Sequence, residues 1–358
     1  MKWTLRWFGP HDPVPLAHLR QVPGLDGVVT ALTDVPAGTP WTRAQVAAHA
    51  ARVEAHGLRW RVVESIPVSE AIKTGGPERD DHVAAWAESL HAVAEAGVTT
   101  VCYNFMPVLD WMRTDFAMPL GDGSNAMAYD EATLQRIDLT AGLPRLEAWA
   151  QGYTPAELRA ALERYADVDE ARLLEHLTAF LRDVVPVAEA LGVRLAIHPD
   201  DPPWSIFGLP RIVSDAAGIQ RVLDAVASPA NALTFCTGAL GVRADNDLVA
   251  MATAFAPRVA FVHARNVRRT GPRDFHETAH LRGAGDVDLG GVLAALVDAD
   301  VDVPLRPDHG RMLWGETAIP GYGLFDRAIG LAYLQGLTEA LERRRDAAAA
   351  PPFPPAEV

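Results

Sequence analysis

The feature that most constrains the fold of this chain is the repetition of short apolar, β-branched runs separated by stretches of helical periodicity. Runs of this kind predict strands, and the 3.6-residue periodicity between them predicts connecting helices. Eight such alternations favour an α/β fold, a closed (β/α)8 TIM barrel rather than an open sheet. The eight predicted strands are Trp3–Phe8, Gly27–Leu32, Arg59–Ile66, Val98–Asn104, Arg194–His198, Ala232–Cys236, Val259–His263 and Val303–Asp308.

Several of the intervening helices carry clear start and stop signals. Thr42 is placed to N-cap a helix that ends at Gly57, and a long amphipathic helix from Asp169 to Leu191 ends at Gly192. Thr154, with a proline and an acid one and three residues later, predicts a capping box ahead of "LRAALERYA". These signals support strands connected by helices.

The alternation is irregular in one place, between the fourth and fifth predicted strands. About 90 residues separate these strands, which is far more than one crossover helix needs. We interpret residues 108–166 as a helical insertion that caps the barrel mouth or builds a dimer contact. Residues 1–344 are expected to form one catalytic barrel domain, and the Ala- and Pro-rich residues 345–358 a disordered tail.

Composition excludes several classes of protein. The chain has 358 residues, 49% hydrophobic and 22% charged, and a formal net charge of −14. This charge argues against a nucleic-acid partner. No apolar run reaches the roughly 18 residues of a membrane span, and the amino terminus does not resemble a signal peptide. With only two cysteines, Cys102 and Cys236, we expect a soluble cytoplasmic protein.

The last four predicted strands each end on a side chain that can bind a metal ion. These residues are His198, Cys236, His263 and Asp308. Since the carboxyl ends of barrel strands meet on one face, four successive strands should bring the four side chains into one quadrant. A lone His or Cys at a strand end is usually packed or hydrogen-bonded. Packing, however, has no use for polar side chains at the same position of four strands, so the set predicts a metal site.

The same stretches resemble mannonate dehydratases of the xylose-isomerase-like barrel type. The resemblance extends from about residue 5 to about residue 338 and rests on several long motifs, namely "ESIPV", "CYNFMPV", "HPDDPP", "FCTG", "RPDHGR" and "PGYGLFDRAIGLAYLQGL". It implies that the four strand-end residues bind Mn²⁺ or Fe²⁺ and that His309 and Tyr322 are the acid/base residues. The sequence departs in detail only around Gly323–Asp326. A thiolate ligand by itself favours Fe²⁺ or Zn²⁺ over Mn²⁺, so the native metal stays open.

The activity implied by the resemblance is dehydration of D-mannonate to 2-keto-3-deoxy-D-gluconate in glucuronate catabolism. This reaction removes a poorly acidic C2 proton and expels the C3 hydroxyl, so it needs a cation and an acid/base pair. His309 follows a predicted ligand directly and Tyr322 lies on the following loop, but the sequence leaves open which is the base. The expected partner is a small sugar acid, and we expect a homo-oligomer, namely a dimer.

Two further residues are candidates for substrate binding. Arg306 lies two positions before Asp308, and should therefore point to the same side of its strand. It can bind the substrate carboxylate or support Asp308. Asn104, at the end of the fourth predicted strand, is a candidate for binding substrate hydroxyls.

One competing motif is "HETAHLRGAGD" at residues 276–286, which fits the HExxH pattern of zinc proteases. That pattern requires a helix, because only i, i+4 spacing brings both histidines to one metal. Glycine and proline lie just before the motif and two glycines lie within its end, which leaves barely two turns. We therefore assign Glu277 and His280 to a loop lining the barrel mouth, behind the metal ligands or against the substrate.

Two alternative functions remain open at this stage. A sugar isomerase or epimerase can use the same fold, although such enzymes more often have carboxylate-rich sites than a cysteine ligand. A sugar-acid-binding protein without catalysis is the other alternative, and the intact acid/base candidates argue against it. The glycine-rich run "RGAGDVDLGG" follows no strand, so no nucleotide cofactor is inferred.

Overall fold

All eight predicted strands are present and close into a parallel barrel. The computed structural model of the chain describes residues 1–138, 140 and 154–349. Around the barrel the strand order is β1-β12-β9-β8-β7-β4-β3-β2, which confirms the (β/α)8 prediction. The barrel strands are β1 (Lys2–Arg6), β2 (Gly27–Thr30), β3 (Arg59–Glu64), β4 (Thr100–Tyr103), β7 (Arg194–Ile197), β8 (Asn231–Cys236), β9 (Val259–Ala264) and β12 (Pro304–Pro307).

Because a parallel barrel strand is covered on both faces, its sequence is apolar almost throughout. All six residues of β8 and all six of β9 are buried. The residues that face the barrel interior are mostly small or β-branched, since the interior is narrow. They form a separate buried cluster, made of Val29, Val62, Cys102, Ala196, Ala232, Ala260 and Phe261.

Helices surround the barrel, and their apolar faces pack on the outer faces of the strands. The helices are α1 (Leu16–Leu19), α2 (Arg43–Glu54), α3 (Glu70–Thr74), α4 (Arg79–Glu95), α5 (Glu131–Gln135), α6 (Pro155–Glu163), α7 (Glu170–Ala190), α8 (Ala216–Ala225), α9 (Thr237–Gly241), α10 (Leu248–Phe255), α11 (Leu289–Asp298) and α12 (Leu324–Ala349). A 3-10 turn, Ala256–Arg258, precedes β9. No helix in the described ranges has both the length and the apolar content that crossing a membrane requires.

The predicted helix signals act as expected. Thr42 forms a capping box with Gln45 at the start of α2, and Thr154 forms one with Glu157 at the start of α6. Each box satisfies backbone N–H groups that have no partner inside the helix. Asp169 caps α7, and Gly192 just beyond its end adopts a φ of +66°.

The prediction of a helical insertion at residues 108–166 is wrong in part. The segment contains α5 and α6, but it also contains the hairpin strands β5 (Asp115–Pro119) and β6 (Asn125–Tyr129). The physical reason is local: β5 alternates between exposed and half-buried residues, and a glycine with φ +85° lies between the strands. Residues 139 and 141–153 of the insertion lie outside the described residues.

The hairpin belongs to a second sheet above the barrel. Its strand order is β10-β11-β6-β5, where β10 (Val267–Arg269) and β11 (Phe275–Glu277) follow β9. The β5–β6 hairpin follows barrel strand β4, and the β10–β11 hairpin follows barrel strand β9. This antiparallel sheet therefore lies at the carboxyl ends of the barrel strands, the face where barrel active sites form. The β5–β6 hairpin of the insertion therefore lies over the barrel mouth.

The carboxyl-terminal helix extends further than predicted. α12 continues to Ala349, so residues 345–349 are helical and not part of a disordered tail. Alanine has the highest helix propensity, and Arg345 donates a hydrogen bond to the carbonyl of Val297 at 3.1 Å. Residues 350–358, the rest of the expected tail, lie outside the described residues.

Candidate metal centre and active site

The four predicted ligands lie at the carboxyl ends of four neighbouring strands. His198 follows β7, Cys236 ends β8, His263 lies in β9 and Asp308 follows β12. Cys236 and His263 are paired across β8 and β9, so the parallel register itself brings two of the donors side by side. The barrel thus brings four residues that are distant in the sequence close together in space.

The donor atoms converge within coordination range of one cation. His198 Nε2 lies 3.1 Å from His263 Nδ1. Asp308 Oδ2 lies 3.9 Å from both Cys236 Sγ and His263 Nδ1. Donor atoms of the two histidines and the cysteine all lie within 4.8 Å of one another. Two imidazoles, a thiol and a carboxylate form a donor set typical of first-row divalent metals.

The other ring nitrogens of the two histidines also face oxygen atoms, through a hydrogen bond at His198 and an ion-pair contact at His263. His198 Nδ1 lies 2.6 Å from the carbonyl of Pro199, and His263 Nε2 lies 3.5 Å from Glu64 Oε1. If each of these nitrogens carries the proton, the facing nitrogens both present lone pairs. Two lone pairs at 3.1 Å are unfavourable without a cation, so the residues present fit a metal ion.

A second potential group overlaps the first and consists of Glu64, Cys102 and His263. Its members are already engaged. Glu64 Oε1 forms an ion pair with Arg306 Nη2 at 3.0 Å, and Cys102 Sγ accepts a hydrogen bond from the Thr234 hydroxyl at 3.3 Å. Burial raises the pKa of the Cys102 thiol well above its ordinary value, and Glu64 adds to the shift. The group that includes Cys236 and borders Asp308 is therefore the better metal site.

Two arginines keep Asp308 ionised. Arg306 Nη1 lies 2.7 Å from Oδ1, and Arg265 Nη1 lies 3.3 Å from Oδ2. Burial opposes ionisation of this carboxyl, but Arg306, His309, His263 and Arg265 outweigh it and hold the pKa of Asp308 well below its usual range. Of the two contacts predicted for Arg306, with Asp308 or with a substrate carboxylate, the structure contains the ion pair with Asp308.

His309 and Tyr322 form a hydrogen-bonded pair beside the donor cluster. His309 Nε2 lies 2.9 Å from the Tyr322 hydroxyl, and both side chains are buried. Burial lowers the pKa of His309, although the carboxylates of Asp308 and Glu277 oppose the shift. Burial also raises the pKa of Tyr322. Near neutral pH the pair is therefore a neutral imidazole and a protonated phenol.

A cluster of buried charges supports this pair from behind. We call Arg113, Asp201, Arg265 and Glu277 the buried charge cluster, since each is at most 1% exposed. Asp201 lies 3.0 Å from Arg113 and 2.7 Å from Arg265, and Glu277 lies 2.6 Å from Arg113.

The cluster fixes the second nitrogen of His309. His309 Nδ1 lies 3.0 Å from Arg265 Nη1 and 3.2 Å from Glu277 Oε1. Burial alone would raise the pKa of Glu277, but Arg265 and Arg113 hold it at about 2. Glu277 is therefore an anion at neutral pH and can accept a hydrogen bond from His309 when Nδ1 carries the proton.

Four residues of the site, Glu64, Asp201, Arg265 and Arg113, were not predicted from the sequence. Glu64 and Asp201 lie within the strand-end motifs "ESIPV" and "HPDDPP", and Arg265 lies two residues after the predicted ligand His263, so their positions at the mouth were visible in the sequence. Arg113 had no such signal, because it lies in the insertion whose hairpin was not predicted.

A cavity of about 480 Å³ opens in front of the site. His198, His263, Asp308, His309 and Tyr322 all line it, whereas Cys236 lies below, fully buried. Cavities of this size hold small-molecule ligands. The cavity therefore gives a small polar substrate access to both the donor cluster and the His309–Tyr322 pair.

The four predicted substrate-binding residues divide into two pairs. Arg306 and Asn104 line the cavity, whereas Glu277 and His280 do not. Glu277 belongs to the buried charge cluster, and His280 is buried against Gly330 of α12. The prediction that both lie on a mouth-lining loop is wrong for Glu277, which ends strand β11, so its place is behind His309 rather than against a substrate.

The HExxH pattern does not form a protease site. His276 and Glu277 lie in the strand β11, not in a helix. Successive side chains of a strand point to opposite faces, so His276 and Glu277 do not lie on one face. The second histidine, His280, lies three residues beyond Glu277 and outside the strand. Within the described residues, neither His276 nor His280 belongs to a potential metal group.

Comparison with known proteins identifies the family to which this chain belongs. The family model of D-mannonate dehydratase (UxuA) matches residues 1–348. Mannonate dehydratase 2 of Halalkalibacterium halodurans is 46% identical over 343 residues, which cover 95% of this chain and 99% of that protein. Mannonate dehydratase of Streptococcus uberis is 45% identical, with the same coverage.

Solved structures agree. The crystal structure of mannonate dehydratase from Streptococcus suis serotype 2 superimposes with a TM-score of 0.90 at 41% identity, covering 100% of this chain and 99% of that one. A D-tagatose 3-epimerase-like protein superimposes with a TM-score of 0.55 at 12% identity, which shows the shared fold alone. On the family match, the sequence identity and the superposition together, this chain belongs to the mannonate dehydratase family.

Proposed function

We propose that the chain is a metal-dependent hydro-lyase that dehydrates D-mannonate to 2-keto-3-deoxy-D-gluconate in hexuronate breakdown. The observation that carries this proposal is the meeting, beside one cavity, of the donor group His198, Cys236 and His263 with Asp308 and with the hydrogen-bonded His309–Tyr322 pair. Elimination next to a carboxylate needs both parts. A dimer remains a prediction from the sequence.

The metal ligands in this proposal are His198, Cys236, His263 and Asp308, and the ion is Mn²⁺ or Fe²⁺. Metal dependence is a property of the family, while the choice of ion is ours. When bound, the cation supplies Lewis-acid stabilisation of negative charge on substrate oxygens. Glu64 and the Pro199 carbonyl hold the two imidazoles in the orientation that binding requires.

His309 acts as the base in this scheme. A base must be unprotonated, and burial lowers the pKa of His309, so the ring is neutral near pH 7. The ring takes the proton from C2, and the developing imidazolium is stabilised by the anionic Glu277, whose Oε1 lies 3.2 Å from Nδ1. Glu277 thus acts through His309 as a positioning residue.

Tyr322 acts as the acid. Burial raises the pKa of its phenol, so the proton is present at neutral pH and can be donated to the leaving group. As the C2–H bond breaks, its electron pair forms the C2–C3 double bond, and the C3–O bond breaks. The departing oxygen takes the phenol proton and leaves as water. The enol product then becomes the 2-keto acid by losing the proton of its C2 hydroxyl and taking a proton at C3.

The protonation states of His309 and Tyr322 are restored by proton transfer between the two residues. After elimination the residues are an imidazolium and a phenolate, and their 2.9 Å contact can return the proton from His309 to Tyr322. A base and an acid in direct contact therefore regenerate each other without solvent. Asn104, which lines the cavity, is the proposed contact for substrate hydroxyls.

The first test of this proposal is product identity. Metal-free protein reconstituted with Mn²⁺, Fe²⁺ or Zn²⁺ should release a keto acid from D-mannonate and lose that activity with a chelator. Formation of an isomeric hexonate without loss of water would instead support an epimerase, and binding without any reaction would support a sugar-acid-binding protein.

The second test separates the base from the acid by isotope exchange in D₂O. His309→Asn should abolish both keto-acid release and deuterium uptake at C2, because no base remains; a loss of about 100-fold or more is expected. Tyr322→Phe should stop dehydration to a similar extent but retain C2 exchange, since proton abstraction does not need the phenol. Metal content should stay unchanged in both variants. The opposite exchange pattern would reverse the two roles.

A further inference from the structure

We propose that the guanidinium group of Arg6 binds the carboxylate of the substrate. This inference rests on the proposed function, since it takes the ligand of the cavity to be an open-chain sugar acid. Arg6 ends the first barrel strand and lines the cavity. Arg306 was a predicted candidate for this contact, but in the structure it is already paired with Asp308.

Four lysine or arginine side chains line the cavity, and three of them are already neutralised. Lys73 lies 2.8 Å from a carboxylate oxygen of Glu70. Arg306 lies 2.7 Å from Asp308, and Arg265 lies 2.7 Å from Asp201. Within the described part of the chain, Arg6 has no carboxylate within 4.0 Å of its nitrogens, although it is only 7% exposed.

The remaining contacts of Arg6 leave part of its hydrogen-bonding capacity unused. Nη1 donates to the carbonyl of Val29 at 3.3 Å. Among the residues that the structure describes, Nε and Nη2 donate no hydrogen bond. Burying a charge without a partner is costly, and burial accordingly lowers the pKa of Arg6, with Glu64 offsetting only part of the shift.

Arg327 shows what a purely structural arginine looks like in this barrel. It is buried too and has no carboxylate partner within the described ranges, but its Nε, Nη1 and Nη2 donate to the carbonyls of Gly323, Arg6 and Tyr322. It does not line the cavity. Arg6 differs in both respects. Its Nε and Nη2 donate no hydrogen bond to another described residue, and its side chain lines the cavity. An arginine fork of this kind matches a carboxylate in a bidentate arrangement.

The position of Arg6 suits the chemistry of the site. Its guanidinium carbon lies 4.5 Å above the ring of Phe8, and that ring packs edge-on against Tyr322 with centroids 4.7 Å apart. The carboxylate of a 2-hydroxy acid is bonded directly to C2. Binding it next to the Tyr322 ring therefore presents C2 to the His309–Tyr322 pair. Negative charge also grows on the carboxylate as the C2 proton leaves, so the contact strengthens during the reaction.

The test compares Arg6→Met with Arg6→Lys and with a control, Arg258→Met. Arg258 is an arginine at the amino end of β9 that donates to backbone carbonyls and lies outside the cavity. Calorimetry on metal-free protein measures D-mannonate binding without turnover, and D-mannonamide is the uncharged counterpart. Arg6→Met should weaken D-mannonate binding about 10- to 100-fold. It should leave D-mannonamide binding and metal affinity unchanged, while Arg258→Met should change none of these.

With metal present, kcat/KM for D-mannonate should fall about 100-fold or more in Arg6→Met and less in Arg6→Lys, which keeps the charge. If the parent protein releases no keto acid, the proposed function fails whatever Arg6 does. The carboxylate assignment is wrong if the parent is active and Arg6→Met lowers kcat/KM by less than about threefold. It is also wrong if Arg6→Met weakens the binding of D-mannonate and D-mannonamide equally. Should Arg6→Met not fold, Arg6→Gln, which removes the charge but keeps a polar side chain, decides by the same comparison of the two ligands: an unchanged preference for D-mannonate over D-mannonamide would overturn the assignment.

Discussion

Replacing Cys236 by serine tests the metal site most directly. Cys236 is fully buried at the end of β8, where its sulfur accepts a hydrogen bond from the Ala239 N–H at 3.4 Å and lies 3.9 Å from Asp308 Oδ2. Serine is nearly the same size but is a much poorer ligand. If Cys236 binds the metal, the change removes one of four donors and leaves the barrel intact.

The expected magnitude follows from these contacts. Losing a partner that only orients a ligand costs about 10- to 100-fold in metal affinity. Losing a ligand itself should therefore cost at least about 100-fold, which is about 3 kcal/mol. The fold should lose little, on the order of 1 kcal/mol, because a serine hydroxyl can keep the Ala239 contact and donate to Asp308.

The assay is metal titration of the metal-free protein, followed by measurement of keto-acid release. The parent should release protons as metal binds, since a thiol ligand is deprotonated, and should bind more weakly as pH falls. Cys102→Ser is the matched control, because Cys102 is equally buried but lies inside the barrel beside Thr234. It should bind metal like the parent and lose only some stability. If Cys236→Ser binds metal as tightly as the parent, the four-donor site is wrong; if Cys102→Ser loses the metal instead, the overlapping group is the true site.

Two other acids give contrasting predictions. Glu64→Gln should lower metal affinity about 10- to 100-fold in the same titration, because the charged partner that orients His263 is lost; unchanged affinity would contradict this role. Glu277→Gln should leave metal stoichiometry unchanged and show no peptidase activity to lose. The folded pKa of Glu277, about 2, lies below its unfolded value, so its stabilisation is present above about pH 4.5 and is lost as pH falls towards 2. The free energy of unfolding of metal-free Glu277→Gln should therefore be lower at neutral pH by on the order of 3 kcal/mol and depend less on pH in that range; equal pH dependence in both proteins would refute the ion-pair argument.

The barrel and the donor set could be predicted from the sequence because their signals are local. A strand needs only a short apolar run and a helix only its own periodicity and cap. The eight barrel strands and the helices α2, α6 and α7 could therefore be located from neighbouring residues in the sequence. Once eight strands were counted, the geometry of a parallel barrel required their carboxyl ends to meet. That alone was enough to place His198, Cys236, His263 and Asp308 together. The β5–β6 hairpin was missed because it is short and lies in a segment that also forms helices.

The choice among charged residues required the tertiary structure. Arg6, Arg265 and Arg306 all look alike in the sequence, as basic residues at or near strand ends. Only the distances show that Arg265 and Arg306 are paired with carboxylates while Arg6 has none within 4.0 Å among the residues that the structure describes. Glu277, read as a loop residue, is in fact buried behind His309. The energy of a charge depends on which groups lie within a few ångströms and on how much water is excluded, and those are properties of the folded chain.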